Sequence, residues 1–166
     1  VIRTYQELHG KPLREVFLHA RSGIDVAEFE GYKAAVSGET KVVAVRVRSE
    51  SRSLRLFRQG TRPVLRGTFL PTGERRGYLW TSGFKPELKA YDGWDVPVPL
   101  SLEVQHGEAD IEQVARDIFG LTKLNYNACK LGDSQPVTVL FSDAVGEILI
   151  SNPSVLDRRP QFRFYV

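Results

Sequence analysis

Methionine is absent from the 166 residues, cysteine occurs once and histidine three times. A lone Cys129 can close no internal disulfide and anchor no cysteine-rich zinc site, which fits a reducing compartment, with the cytoplasm as the expected location. His9, His19 and His106 stand far apart in sequence, and no His-x-x-x-His pair joins any two of them into a metal motif. Gly-rich phosphate loops and Gly-x-Ser-x-Gly elbows are missing too, which removes the familiar signatures of nucleotide-binding and hydrolase sites. No apolar run approaches the roughly 20 residues of a membrane helix, and VIRTYQELHGKPLREV lacks the apolar stretch of a signal peptide. Without methionine, and opening on Val1 shortly before its first strong strand pattern, the chain is expected to be a fragment or a processed product.

What is present is ordinary globular composition, 42% hydrophobic and 26% charged, at the length of one domain. The net charge of +3 is small but unevenly spread. From Lys41 to Arg76 ten basic residues face two acids, a local net of +8 that leaves −5 for the rest of the chain. Such a ribbon is the electrostatic footprint of a protein that neutralises phosphates with counterion release. It is equally the outer face of a solvated β-hairpin, and charge alone leaves both readings open.

Along the chain, Glu15 to Ala20 is a short, mostly apolar run that predicts a strand buried on both faces. Asp25 then precedes VAEFEGYKAAV, where Val26, Phe29, Tyr32 and Val36 fall at helical spacing and Gly38 closes the helix. KVVAVRVRS alternates Val43, Val45 and Val47 with Ala44, Arg46 and Arg48, which predicts a half-buried strand with a basic face. Further strands are predicted at Leu54 to Arg58, Pro63 to Phe69 and Tyr78 to Ser82, then an ordered loop from Pro86 to Pro99 pinned by Tyr91 and Trp94. Leu100 to Val104 reads as a strand. Asp110 caps a helix whose stripe runs through Ile111, Val114, Ala115, Ile118, Leu121 and Leu124. PVTVLF predicts another strand, Asp143 to Ile150 a final helix, and QFRFYV an apolar tail. Together these elements predict an α/β domain with a mixed sheet flanked by helices and a β-hairpin insertion.

Three stretches carry a family resemblance. DIFGLTKLNYNACKLGDSQPVTVLFSDAVGEIL, Asp117 to Leu149, resembles the C-terminal part of the PIWI domain of Argonaute proteins. EVFLHARSGIDVAEFEGY, Glu15 to Tyr32, is similar to the strand and helix around the third catalytic position of that domain. TSGFKPELKAYDGWDVPVPLSLEV, Thr81 to Val104, resembles more narrowly the short prokaryotic Argonautes built of MID and PIWI domains alone. The resemblance implies an RNase H-like fold over residues 1–166, the C-terminal two-thirds of a PIWI domain, with the MID domain and the first PIWI strands upstream.

It also implies a site. Slicing members hold two divalent cations with four side chains, clamping the attacking and leaving oxygens of a phosphodiester. The third position falls at Arg21-Ser22-Gly23, where slicers carry Arg-Asp-Gly, and the fourth at Asp143. A neutral serine hydroxyl cannot replace an anionic ligand to hard cations, so the expectation is a degenerate, non-catalytic tetrad at Ser22 and Asp143. Asp25 then serves as a helix cap, and Asp143 is weighed as an acid that satisfies free N–H groups at a helix start.

Guide-backbone contacts carry over to Thr122, Lys123, Asn125, Tyr126 and Asn127, with the Val166 carboxylate holding a structural Mg²⁺ at the guide 5′-phosphate. Arg46, Arg48, Arg55 and Arg58 are further candidates, facing either the guide–target duplex or a partner protein. The implied activity is guide-directed recognition of a complementary strand without slicing, in prokaryotic defence against invading DNA. Effector chemistry would then sit in a TIR-APAZ or Sir2-APAZ subunit. An active metal-dependent RNase H-like endonuclease and a scaffold with no nucleic-acid contact are the alternatives.

Overall fold

A computed structural model describes residues 2–50, 54–91, 93, 95–124, 132–151 and 153–154. The elements run α1 (Ile2–His9), β1 (Glu15–Ala20), α2 (Val26–Ala34), β2 (Lys41–Ser49), β3 (Phe69–Gly73), β4 (Arg76–Leu79), β5 (Leu100–His106), α3 (Ile111–Leu121) and α4 (Val137–Ser151). One mixed sheet has the order β1-β2-β5-β4-β3, with β1 parallel to β2 and the other pairs antiparallel. The parallel pair needs a crossover, which α2 supplies. Asp25 caps α2 by accepting from the Glu28 amide at 2.8 Å, and Asp110 caps α3 through the Glu112 amide at 3.0 Å.

The core has two layers, set by strand alternation. On one face Val43, Val45 and Val47 join Leu79, Leu100, Leu102 and Val104 beneath Ile111, Val114, Ala115 and Ile118 of α3. On the other, Val42 and Ala44 pack with Ile24 and Phe29. β2 is therefore an interior strand buried on both sides over Val42 to Val45, and only its C-terminal half keeps the expected basic face.

Three predicted strands fail or shift for identifiable reasons. Residues 54–58 form no strand. From Pro63 to Thr68 the chain makes a single bridge, Leu65 to Phe84, and then turns, with Thr68 bonding the Leu65 carbonyl through both amide and hydroxyl and Gly67 at φ +91°. Pro63 also lacks the N–H a ladder requires. PVTVLF is the first turn and a half of α4, whose opening amides at Val139 and Leu140 bond to the Pro136 carbonyl. A short apolar run bounded by proline fits either state, and proline's fixed φ suits a helix start. α3 stops at Leu121 rather than continuing, leaving Leu124 57% exposed. No helix among the described residues is long and apolar enough to cross a membrane.

Candidate nucleic-acid interface

The loop leaving β1 and the middle of α4 meet. Arg21 Nη1 lies 2.7 Å from Asp143 Oδ2, and His19 shares a 2.9 Å hydrogen bond with the Thr138 hydroxyl one helical turn earlier. Asp143 is thus the seventh residue of α4, too deep in the helix for the capping role considered above. Both partners of the ion pair are partly exposed, so the pair adds little stability. Its importance is positional, because it brings Asp143 to the loop that carries Ser22. Ser22, adjacent and exposed, offers a neutral oxygen. Hard divalent cations need anionic oxygens. Ser22 and an arginine-paired Asp143 do not by themselves fit a two-cation centre, and the described residues bring no three His, Cys, Asp or Glu side chains together.

β5 fixes this loop. Ile24 donates its N–H to Gln105 Oε1 at 3.0 Å and receives His106 Nε2 on its carbonyl at 2.7 Å, while the His106 ring stacks on Phe29. Neither Gln105 nor His106 was flagged by sequence pattern, since both lie 81 or more residues from the peptide they hold.

His19 yields a test of how this region is built. Burial holds its pKa below the ordinary value of 6.5, with nearby Asp117 opposing in part. The unfolded chain therefore binds more protons than the fold as pH drops through 6.5, so stability is full above that pH and declines below it. Urea midpoints measured between neutral pH and pH 5 should fall for the native protein and fall less for His19→Gln. Equal slopes would remove His19 as the cause.

The basic ribbon divides in space. Arg46 and Arg76 converge on one nearly buried carboxylate, Glu103, with Arg46 Nη2 2.6 Å from Oε2 and Arg76 Nη2 on Oε1. Arg75 bonds the Val104 and Gly107 carbonyls at 2.9 Å each, and Arg55 bonds its neighbour's carbonyl. Arg66 braces three segments: its Nε donates to the Thr81 carbonyl, Nη2 to Thr122 Oγ1 at 2.9 Å, and its Cζ lies 4.9 Å from the Phe119 centroid. Arg58 and Arg62 lie over Phe84. Lys41 pairs with Glu15 at 3.2 Å, and among the described residues Arg48 stays exposed on the sheet face beside Arg46.

Of the expected guide contacts, Thr122 is fully buried, and its hydroxyl bonds the Phe119 carbonyl and accepts from Arg66. Its side chain holds the helix end and presents nothing to a ligand. Lys123 is exposed, with Nζ 4.4 Å from the Phe119 centroid. Asn125, Tyr126, Asn127 and Val166, with the cation assigned to its carboxylate, lie outside the described residues, as does Trp94. Beside Arg66 opens a cleft of about 670 Å³, lined by Arg66, Ser82, Gly83 and Lys85 and by Asp95 and Asp133. The carboxylates of Asp95 and Asp133 offset the two cations, and Arg66 is already engaged by Thr81 and Thr122, so the cleft is of mixed charge.

No protein-family model and no curated protein matches the sequence. Solved structures do match its shape. Clostridium butyricum Argonaute bound to a guide DNA and a 19-mer target DNA superimposes with a TM-score of 0.71 at 15% identity, over 99% of this chain and 21% of that one. Aa-Ago with externally bound siRNA gives 0.65 at 19% identity, over 90% and 20%. The chain spans about a fifth of either neighbour's length, and its mixed α/β sheet has an Argonaute PIWI-like fold.

Proposed function

We propose that this chain is the C-terminal part of the PIWI domain of a short, slicing-inactive Argonaute, which holds a guide strand by its backbone and captures a complementary strand. Base pairing supplies specificity and the protein supplies shape and charge. The observation that carries the reading is the neutral Ser22 beside Asp143, which leaves one carboxylate here where metal-dependent phosphodiester cleavage calls for several. The exposed Lys123 and Arg48 supply donors for backbone phosphates. Effector chemistry in this reading belongs to a separate TIR-APAZ or Sir2-APAZ subunit acting in cytoplasmic defence against invading DNA.

The test uses the intact protein, loaded with a guide and offered a matched, labelled target with Mg²⁺ or Mn²⁺. Capture of the target uncut, and dependent on guide complementarity, is the expected result. A cleavage product abolished by Asp143→Ala would establish the endonuclease reading instead. Flat binding curves for guide and target alike would leave a scaffold.

A further inference from the structure

Two arginines of the basic ribbon stand apart from the rest. Arg58 and Arg62 both lie over the Phe84 ring, at 5.9 and 5.2 Å from its centroid, and neither meets an acid among the described residues. The chain around them exposes apolar side chains that a solvated loop has no reason to carry: Phe57 is 76% exposed, Leu88 49% and Leu65 38%. Leu65 is bridged to Phe84 through the backbone, Leu88 ends the short 3-10 turn that starts two residues after Phe84, and Phe57 adjoins Arg58 in the chain, so connectivity keeps the six residues near one another.

We propose that this patch docks an acidic, amphipathic segment of a partner protein. A guanidinium held over a ring by cation–π attraction spends no N–H donor on a hydrogen-bond acceptor there, so its fork of donors stays available to a carboxylate. The ring contact also restricts the side chain in advance, which lowers the entropy lost on binding. A phosphodiester backbone could satisfy the two cations, but it has little apolar surface to cover Phe57, Leu65 and Leu88. A peptide alternating acids with leucine or phenylalanine satisfies both parts. Exposed aromatic and arginine anchors within an apolar surround are the composition of an interface centre.

The probe is a fluorescein-labelled helical peptide with glutamate and aspartate on one face and leucine and phenylalanine on the other. One control peptide has serine at the apolar positions, and a labelled single-stranded oligonucleotide serves as the competing class. Anisotropy titrations of the full chain should show saturable binding of the amphipathic peptide, at least tenfold weaker for the serine control. Phe57→Ser and the Arg58→Gln, Arg62→Gln double variant should each weaken peptide binding tenfold or more while circular dichroism stays native. Phe57→Ser should leave oligonucleotide affinity unchanged. The proposal is overturned if the amphipathic peptide does not bind, if it binds no better than the serine control, or if Phe57→Ser weakens the oligonucleotide and spares the peptide.

Discussion

Trp80→Ala should cost about 3–5 kcal/mol of folding stability, the upper range for deleting a buried aromatic side chain. Trp80 is wholly buried at the end of β4. Its indole N–H donates to the Pro97 carbonyl at 3.2 Å, and its backbone pairs with Gly67 and Thr68. One residue thus joins the hairpin, the turn before it and the loop that forms a wall of the cleft beside Arg66. Set against the roughly 5–15 kcal/mol that holds a domain folded, the loss leaves a marginal protein. Urea denaturation checks it. Trp80→Phe separates the contributions, since it keeps most of the packing and abandons the Pro97 carbonyl. A cost for Trp80→Ala under about 1 kcal/mol would mean the site collapses around the cavity and the loop is held by other contacts.

Gly107→Ala is the second large effect. Gly107 ends β5 at φ +76°, a conformation that side chains other than glycine adopt only with strain, and a Cβ there would lie 2.3 Å from the Val42 carbonyl oxygen. Left-handed strain of about 1–3 kcal/mol and steric overpacking of about 1–3 kcal/mol combine to roughly 2–6 kcal/mol. The position adjoins His106, which with Gln105 holds the Ile24 peptide and so the loop of Arg21 and Ser22. Denaturant midpoint and amide exchange at Ile24 should fall together. A stability change below 1 kcal/mol would show that the β2–β5 connection can shift to admit a methyl group.

Much of the architecture was legible because local chemistry fixes it. The two aspartate caps, the 3.6-residue stripe of α3 and the alternation of β2 each need only a few neighbours in sequence to be read. The strand reading of PVTVLF failed because valines and leucines serve a buried strand and a helix face equally well. The candidate site was legible as residue types at two separate places, and nothing local announces that Arg21 will reach an aspartate 122 residues away. The ribbon failed as a single stripe for the same reason. Which arginine meets Glu103 is decided by strand order and register, whereas Arg58 and Arg62 are diverted to Phe84 by a chain that turns where a strand was expected.

The strand order also sets a timetable for the growing chain. Arg46 of β2 pairs with Glu103 of β5, 57 positions later, and α3, which roofs Val43, Val45 and Val47, follows β5. A ribosome adding about 5–20 residues per second takes roughly 3–11 s to span that gap. During that interval β1, α2 and β2 can assemble as a unit, sealed on the α2 side by Phe29 and Ile24, with three valines bare on the other. The hairpin of β3 and β4 is made within that window and must wait for β5 before it joins the sheet, since β4 meets β2 only through it. β5 is therefore the closing strand of the nascent domain. Until α3 follows it and roofs the valines, the half-built sheet offers an apolar surface of the kind that holdase chaperones bind.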